Sequence, residues 1–441
     1  EVDLEKGELS IFIRLGSDFN ENYYEYEIPL TFTPWGTAAT DPFAIWPENN
    51  NFDILLEDLV NVKLERNIAM REQSSDFTTS KPYTVKVGDH KITVLGIPNI
   101  SDIKAVMIGV RNPKQINVLS GDDGLAKSAE IWINELRLTD FNNDGGWAAT
   151  GRISADLADL GRFSVSGSYT SPGFGSVEQK INETPKESTT TFDVSTDIEF
   201  GKFFPEKSGI KIPVHFDYSK AVISPEYNPL DPDVKLKDEL DSYTNENERD
   251  SIKRIVEDYV HRKNINLMNV RKDRTNGKKP RIYDVENLNI SYAYSEVFAR
   301  NIDVAYDMKK VYRGGFGYNY RNTPKLIKPF SKAKLNPKFF KLIKDFNFSL
   351  LPKVLSFNTD MYREHNERTL RNKSSGIVPM ETFFKKRWDW NRNYNIQYDL
   401  TQNLNIDFKA KATAYIDEPQ GNPEKGDADY EVINPSHHLG D

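Results

Sequence analysis

The stretch LNIDFKAKATAYI at residues 404–416 decides the fold, because apolar residues alternate along it with polar ones. Successive side chains of a β-strand point to opposite faces of a sheet. The stretch therefore predicts one long strand with an apolar face, which begins at Leu404, and a polar face, which contains Asn405 and Lys409. The preceding segment alternates in the same way, with Tyr394 and Ile396 on its apolar face.

The same alternation recurs from residue 151 onward and predicts a mainly β protein with about ten antiparallel strands in residues 151–416. These strands are expected near residues 151–158, 162–170, 191–200, 209–219, 286–295, 300–308, 311–321, 353–364, 387–399 and 403–416. Pro213, which has no N–H to donate, predicts a bulge or an edge within its strand.

Short turns and long polar loops alternate between these strands, and the long loops are expected at 171–190, 220–285 and 365–386. The loop 220–285 is expected to contain a helix, because apolar residues recur there at helical spacing, namely Ile252, Ile255, Val256, Tyr259 and Val260. Two connections break the scheme: Lys309-Lys310 is short where a long loop is due, and 322–352 is long where a short turn is due.

The first 140 residues show shorter apolar runs and more frequent turns. A hairpin is expected from 83–87 to 92–94, with further strands near 103–110 and 130–138. One helix is expected near 52–71, since its apolar residues lie near helical spacing. We therefore predict a jelly-roll-like β-sandwich over residues 1–140, a linker at 141–150, and a loop or tail at 417–441.

The composition excludes several classes of protein. The 441 residues include 66 acidic and 58 basic side chains, for a net charge of −8, and the mean hydropathy is −0.63. Helical membrane spans need roughly 20 mostly apolar residues, whereas the longest clean apolar run covers residues 105–108. The absence of cysteine excludes disulfides and thiolate chemistry, and the acidic balance predicts no nucleic-acid partner. Glu1-Val2-Asp3-Leu4 lacks a signal-peptide pattern, so we expect a cytosolic start or a piece of a longer protein.

A soluble sheet with one wet face would show the same alternation, but three features favour a transmembrane barrel. The strands have the length that a tilted membrane strand needs, roughly 9–11 residues. Aromatic residues cluster near the predicted strand ends, as at a membrane interface, namely Tyr169, Tyr218, Tyr294, Tyr320, Trp388 and Trp390. Short turns on one side and long loops on the other are typical of outer-membrane barrels.

Ten strands are enough for a small barrel, or they form one arc of a larger wall. The polar face is rich in Asn, Asp, Ser and Lys and predicts a wet interior. The alternatives are a soluble or surface-attached β-sandwich that binds a glycan or a protein, and a smaller porin or receptor barrel. A glycan hydrolase is the most distant alternative, since no pair of carboxylates is singled out.

No motif predicts catalysis, so the expected catalytic, cofactor-binding and metal-binding residues are none. Asp140, Asn142 and Asp144 before Gly145 resemble the opening of a calcium loop, but Gly151 stands where the bidentate Glu is needed. A linker turn is the favoured interpretation. The six histidines lack metal-ligand spacing, and they are His90, His215, His261, His365, His437 and His438. The glycines around Phe174 and Phe316 are interpreted as making room or bending a strand.

One basic segment lies between Pro324 and Lys344, with seven lysines, no acidic residue, and phenylalanines among them. Basic residues with apolar anchors are typical of a membrane surface. We interpret the segment as a solvated face near anionic head groups or at a pore mouth.

Several stretches resemble the SprA (Sov) family of gliding-motility and cell-surface proteins. The strongest is SAEIWINELRLTDF at 128–141, followed by GGWAA at 145–149. YEYEIPL at 24–30, IWP at 45–47 and NPLDP at 228–232 resemble the same family. The resemblance covers essentially the whole chain, and family members are several times longer.

The resemblance implies part of the outer-membrane translocon of the Bacteroidetes type IX secretion system, a very wide single-chain barrel. Its implied partners are folded cargo proteins with C-terminal targeting domains, a PorV-type outer-membrane barrel at a lateral opening, a periplasmic plug protein and the lipid bilayer. The family supplies no catalytic residues. On this hypothesis Phe192, Ile290 and Ile406 meet hydrocarbon while their polar neighbours face a passage.

Overall fold

The computed structural model describes residues 4–72, 76–112, 125–140, 144–180, 183–275, 277, 279–331, 341–372, 380–417, 421–423 and 426. The chain divides into two compact units. Unit 1 comprises Glu1–Asp144 and Pro225–Ile252, and unit 2 comprises Gly145–Ser224 and Lys253–Asp441.

The described strands, numbered along the chain, are β1 (Ser10–Gly16), β2 (Tyr23–Pro29), β3 (Tyr83–Val87), β4 (His90–Leu95), β5 (Ala105–Arg111), β6 (Ala148–Asp156), β7 (Gly161–Thr170), β8 (Glu187–Glu199), β9 (Ile210–Lys211), β10 (Pro213–Pro225), β11 (Tyr227–Asn228), β12 (Asp231–Lys235), β13 (Asp258–Lys272), β14 (Leu288–Arg300), β15 (Val304–Arg321), β16 (Val354–Leu370), β17 (Thr382–Thr401) and β18 (Leu404–Asp417). The α-helices are α1 (Pro42–Ile45), α2 (Leu56–Arg71), α3 (Leu236–Asp241), α4 (Glu246–Val256) and α5 (Lys341–Lys344). Short 3₁₀ helices lie at Glu48–Asn50, Ile100–Asp102, Phe200–Phe203, Glu206–Ser208 and Val285–Asn287.

Unit 1 is built on an antiparallel sheet of five strands in the order β3-β4-β2-β1-β5. Helix α2 packs on it, and its Leu59 and Val62 belong to the buried core. The other buried members of this core are Leu9, Ile11, Ile13, Tyr24, Tyr26, Ile28, Leu30, Ile92 and Val94. The predicted helix near 52–71 is thus confirmed, with an observed start at Leu56.

The predicted jelly-roll-like sandwich is wrong, because the described part of residues 1–140 supplies one sheet covered by a helix rather than two stacked sheets. The strand expected near 130–138 is also wrong, because residues 125–140 pair with no strand. Ile131 packs against the core, whereas Trp132, Leu136 and Leu138 are exposed.

Unit 2 contains an antiparallel sheet in the order β18-β17-β16-β15-β14-β13-β10-β8-β7-β6, with β9 also paired to β13. Apart from this pairing, each strand lies beside its neighbour along the chain. The sheet confirms the mainly β, antiparallel prediction. Within the described residues it does not close on itself, and β6 and β18 form its two edges.

Two strand predictions in unit 2 are wrong. One removes a strand and the other adds one, so the predicted ten is retained when β9 and β10, which were predicted as one strand, are counted together. Lys309 and Lys310 lie inside the single strand β15 rather than in a turn, because Lys309 Nζ pairs across the sheet with Glu364 Oε1 at 3.3 Å. The segment 220–285, predicted as a loop with a helix, contains α4 but also the strand β13. Its polar Lys263 is paired with Glu296 on the neighbouring strand.

An irregularity is present at Pro213, but its extra residue lies in the partner strand β13 rather than in the strand of Pro213, where the bulge was predicted. Lys211 pairs with Arg271 and Val214 pairs with Leu267, so three residues of β13 lie opposite two residues of the other strand. Asn269 lies in this bulge with a positive φ of 60°, a conformation that asparagine tolerates better than most residues.

The predicted asymmetry of the connections is wrong. Successive strands run in opposite directions, so their connections alternate between the end of the sheet at Asp156 and the end at Arg300. Long connections, 273–287 and 322–353, lie at the Asp156 end beside short turns. The Arg300 end combines the long connections 171–186, 226–257 and 371–381 with the short turn 301–303.

Candidate functional surfaces

The sheet of unit 2 has one apolar and one polar face, and the strand register aligns like residues across many strands. For example, Phe357, Tyr394 and Ala410 form one row across β16, β17 and β18. On the other face, Asn358 pairs with Asn393, which pairs with Lys411. Alternation within each strand thus becomes two surfaces of opposite character, although a charged row of Lys263, Glu296, Lys310 and His365 crosses the apolar one.

The apolar face is exposed. Phe192 is 43% exposed, Ile290 52% and Ile406 45%, and in unit 2 no described segment forms a second sheet over them. Contiguous exposed apolar surface of this kind marks contact with a membrane or with another protein. These residues are therefore not buried between stacked sheets.

Only some of the predicted interfacial aromatic residues lie at strand ends. Tyr169 and Tyr320 lie one residue from the ends of β7 and β15. Tyr294, Trp388 and Trp390 lie well inside their strands, because the strands extend further than the alternation predicted. Tyr218 is likewise interior to β10.

The polar face carries a network of charges. Lys309 pairs with Glu364, which also accepts a hydrogen bond from the Tyr362 hydroxyl at 2.8 Å. The same face holds a recess of about 400 Å³ with only hydrophilic lining, namely Arg313, Asp360, Tyr362, Glu364, Arg387, Asp389 and Asn391. Such a surface is typical of a wetted wall rather than of a dry core.

Gly317 makes room on this polar face. A Cβ at Gly317 would lie 2.0 Å from Asn289 Oδ1 and 2.9 Å from Asn358 Oδ1. The interpretation of this glycine as making room is confirmed. A bulkier residue would displace both asparagine side chains from their rows.

Unit 1 contains a buried ionic cluster that sequence reasoning missed. Lys63 on α2 is 1% exposed at its side chain, and its Nζ lies 2.5 Å from Asp231 Oδ1 and 3.1 Å from Asp233 Oδ2. Lys63 also donates to the carbonyl of Pro98 at 2.7 Å. The ammonium thus replaces its lost hydration with three oxygen partners.

Asp233 is the centre of this cluster. The Tyr24 hydroxyl donates to its Oδ2 at 2.7 Å, and the backbone N–H of Ile100 donates to its Oδ1 at 2.6 Å. Burial, followed by the charge of Asp233, raises the pKa of Tyr24, so the phenol stays a donor. The segment 225–252 is thereby held against the sheet and α2 of unit 1.

The signal for this cluster was present in the sequence. Lys63 and Arg66 lie on the same helical stripe as Leu59 and Val62, and all four are buried. A charged residue on the apolar stripe of a helix predicts a buried partner. The partner itself was not predictable, because Asp231 lies 168 residues away.

The predicted chemical motifs are not brought together. Asp140 is exposed with a positive φ of 53°, Asn142 lies outside the described residues, and no group of three metal-ligating side chains occurs among those described. The interpretation of this stretch as a linker turn stays a prediction. His215, His261 and His365 lie on different strands, each beside a carboxylate, and His90 contacts Tyr26. His437 and His438 lie outside the described residues.

Much of the basic segment also lies outside the described residues, at 332–340. In the described part, Ile327 forms an isolated bridge with Phe348. None of the helices in the described ranges has the length and apolar composition required to cross a bilayer.

The fold and surfaces define a class: a mainly antiparallel β protein with a long-stranded amphipathic sheet joined to a compact packed unit. Residues 1–240, more than half of the chain, match the SprA_N family model, described as a motility related/secretion protein. The chain belongs to this family. No curated protein matches it. The resemblance noted in the sequence is confirmed, and the chain is assigned to motility and secretion.

Proposed function

We propose that unit 2 forms part of the wall of a protein-conducting channel in the outer membrane of a Gram-negative cell. This channel is a type IX secretion translocon that exports folded proteins to the cell surface and supports gliding motility, with periplasmic and extracellular parts. The exposed apolar face of the sheet carries the proposal, because it covers strands of membrane-spanning length and nothing described in unit 2 packs on it.

The open sheet favours a wall larger than ten strands. In lipid every backbone N–H and C=O needs a partner, so the free edges of β6 and β18 require further strands. A small porin closed by these ten strands alone is disfavoured by the two edges. The polar face then lines a wet passage.

The role of this wall is transport rather than catalysis. Its proposed partners are cargo proteins with C-terminal targeting domains, a PorV-type barrel, a periplasmic plug protein and the bilayer, with no nucleic acid. A passage lined mainly by amide, hydroxyl and mixed charged groups suits folded, hydrated cargo, since it offers little apolar surface to which cargo would adhere.

Cysteine scanning tests the two faces, and the chain has no cysteine to interfere. We expect the Lys409→Cys variant of the intact protein to react in cells with a membrane-impermeant maleimide and the Phe408→Cys variant to be protected. Asp407→Cys and Ile406→Cys form a matched second pair. Equal labelling of both members in both pairs, or a protein that stays in solution without detergent, contradicts the channel and favours a soluble binding protein.

A further inference from the structure

Three arginines converge at the Arg300 end of the unit 2 sheet. Arg300 ends β14 and Arg371 follows β16, while Arg254 belongs to α4. Arg371 Nη2 lies 3.5 Å from the carbonyl oxygen of Arg254 and 3.4 Å from that of Asn301. Arg254 and Arg371 lie close enough to Arg300 for their positive charges to repel its own.

Two of these guanidinium groups contain donors without an acceptor. Arg300 Nη1 and Arg371 Nε are buried and make no hydrogen bond to any residue that the structure describes. A buried, unsatisfied donor on a charged group carries a substantial free-energy cost. Two such donors in one cluster therefore indicate a place for an acceptor that a ligand supplies.

The surrounding charges favour an anionic ligand. Glu257 is the carboxylate that attracts Arg300, but it also faces Lys253 and Lys220. Burial raises the pKa of Glu257 and lowers that of Arg371. The carboxylates of Asp258 and Asp303 lie at the same end of the sheet, so three carboxylates face five cations and the cluster keeps an excess of positive charge.

An aromatic ring forms one side of the cluster. The Arg300 guanidinium carbon lies 4.9 Å from the Tyr259 ring centroid, and Lys220 Nζ lies 5.5 Å from the same centroid. Tyr259 pairs with Arg300 and with Val222 in one row on the apolar face. The cations are therefore held at the end of the apolar surface rather than on the polar face.

We propose that Arg254, Arg300 and Arg371 form a binding site for a phosphoryl group. The planar guanidinium offers paired donors that match phosphate oxygens, which a point-charge ammonium does not. The position at the end of the apolar face assigns the phosphoryl group to an anionic lipid. This lipid source rests on the proposed function, whereas phosphoryl binding itself does not.

The test measures phosphoryl binding by the purified protein and its Arg300→Gln and Arg371→Gln variants. One arm titrates inorganic phosphate, and the other measures binding to vesicles of phosphatidylglycerol in phosphatidylcholine against phosphatidylcholine alone. The control is Arg262→Gln, which removes one charge from the opposite face of β13. We expect each cluster variant to weaken phosphoryl binding about tenfold and the control to leave it unchanged.

The outcomes distinguish a lipid headgroup from a soluble phosphate ester as the source of the phosphoryl group. Loss of vesicle binding in the cluster variants, with weak phosphate binding in every variant, supports a lipid headgroup. Loss in the phosphate arm alone supports a soluble phosphate ester and leaves the channel to its own labelling test. Equal binding by the wild type, both cluster variants and the Arg262→Gln control overturns the site, and retained β-sheet circular dichroism excludes misfolding as the cause of a loss.

Discussion

Unit 1 and unit 2 share the same period-two alternation, but the apolar face of the sheet is covered in unit 1 and exposed in unit 2. In unit 1 the apolar face of five strands is covered by α2, and Leu59 and Val62 complete a buried core. In unit 2 the apolar face of the long sheet stays exposed, as at Phe192 and Ile290. Alternation therefore establishes that a strand has two faces, but only the presence of a covering element tells whether the apolar face is a core or an outer surface.

The largest effect is expected at the buried ionic cluster of unit 1. Replacing Asp233 by Ala leaves Lys63 with one carboxylate and removes the acceptor of Tyr24 and Ile100. We expect this change to lower the free energy of unfolding of unit 1 by about 3–5 kcal/mol. Chemical denaturation of the protein followed by hydrogen exchange at β2 and α2 measures it.

The matched control is Asp238→Ala, on the exposed side of α3 in the same segment. It is expected to cost less than about 1 kcal/mol. If the free energy of unfolding falls equally little in both variants, the cluster does not hold the segment 225–252 in place. The contrast between the packed unit 1 and the exposed sheet of unit 2 is then weaker.

The next prediction sharpens the contrast at the exposed face of unit 2. Phe192→Lys introduces a charge in the middle of β8, where lipid contact makes it cost about 2–4 kcal/mol. Ser195→Lys adds the same charge to the polar face of the same strand. The fraction of protein assembled in membranes is expected to fall for the first variant and to stay near wild type for the second. The opposite order would contradict the prediction, because it would show that the polar face, not the apolar face, contacts lipid.

The smallest effect concerns the turn between β1 and β2 in unit 1. Backbone N–H groups of Glu21, Asn20 and Asn22 donate to Asp18, with that of Glu21 at 2.6 Å, and these bonds hold the pKa of the carboxyl well below its usual range. Because the folded pKa is depressed, the stabilisation is present above the unfolded pKa and is lost as the pH falls below about 4.

We therefore expect the stability of wild-type unit 1 to decline more steeply between about pH 5 and pH 2 than that of an Asp18→Asn variant. The denaturation midpoint at several pH values measures the difference. Parallel pH profiles would show that the turn contributes nothing through this charge.

The sequence predicted those elements whose side chains face a uniform environment. The strict alternation of β14 and β18 and the apolar stripe of α2 were sufficient. Strand β13 was missed because its apolar face carries His261 and Lys263, whose polarity is offset by Glu296 on the next strand. Cross-strand compensation of this kind is a property of the pairing and is not visible in one strand.

The candidate surfaces were predictable to different depths. The polar and apolar faces followed from the alternation, and the room at Gly317 followed from residue type. The ionic cluster of Lys63 and the three converging arginines depend on residues distant in the chain. At 130–138 a strand was predicted where none is observed, since alternation without a paired neighbour does not make a strand.

The segment that carries Asp231 and Asp233 has a consequence for timing. Lys63 emerges 168 and 170 residues before its two counter-charges, and the strands from β6 to β10 are synthesised in the interval. A nascent chain must therefore postpone the last folding step of its N-terminal unit until those strands exist, and closing so long a segment slows that step. Completion of the first unit therefore requires that a large part of the second has already been synthesised.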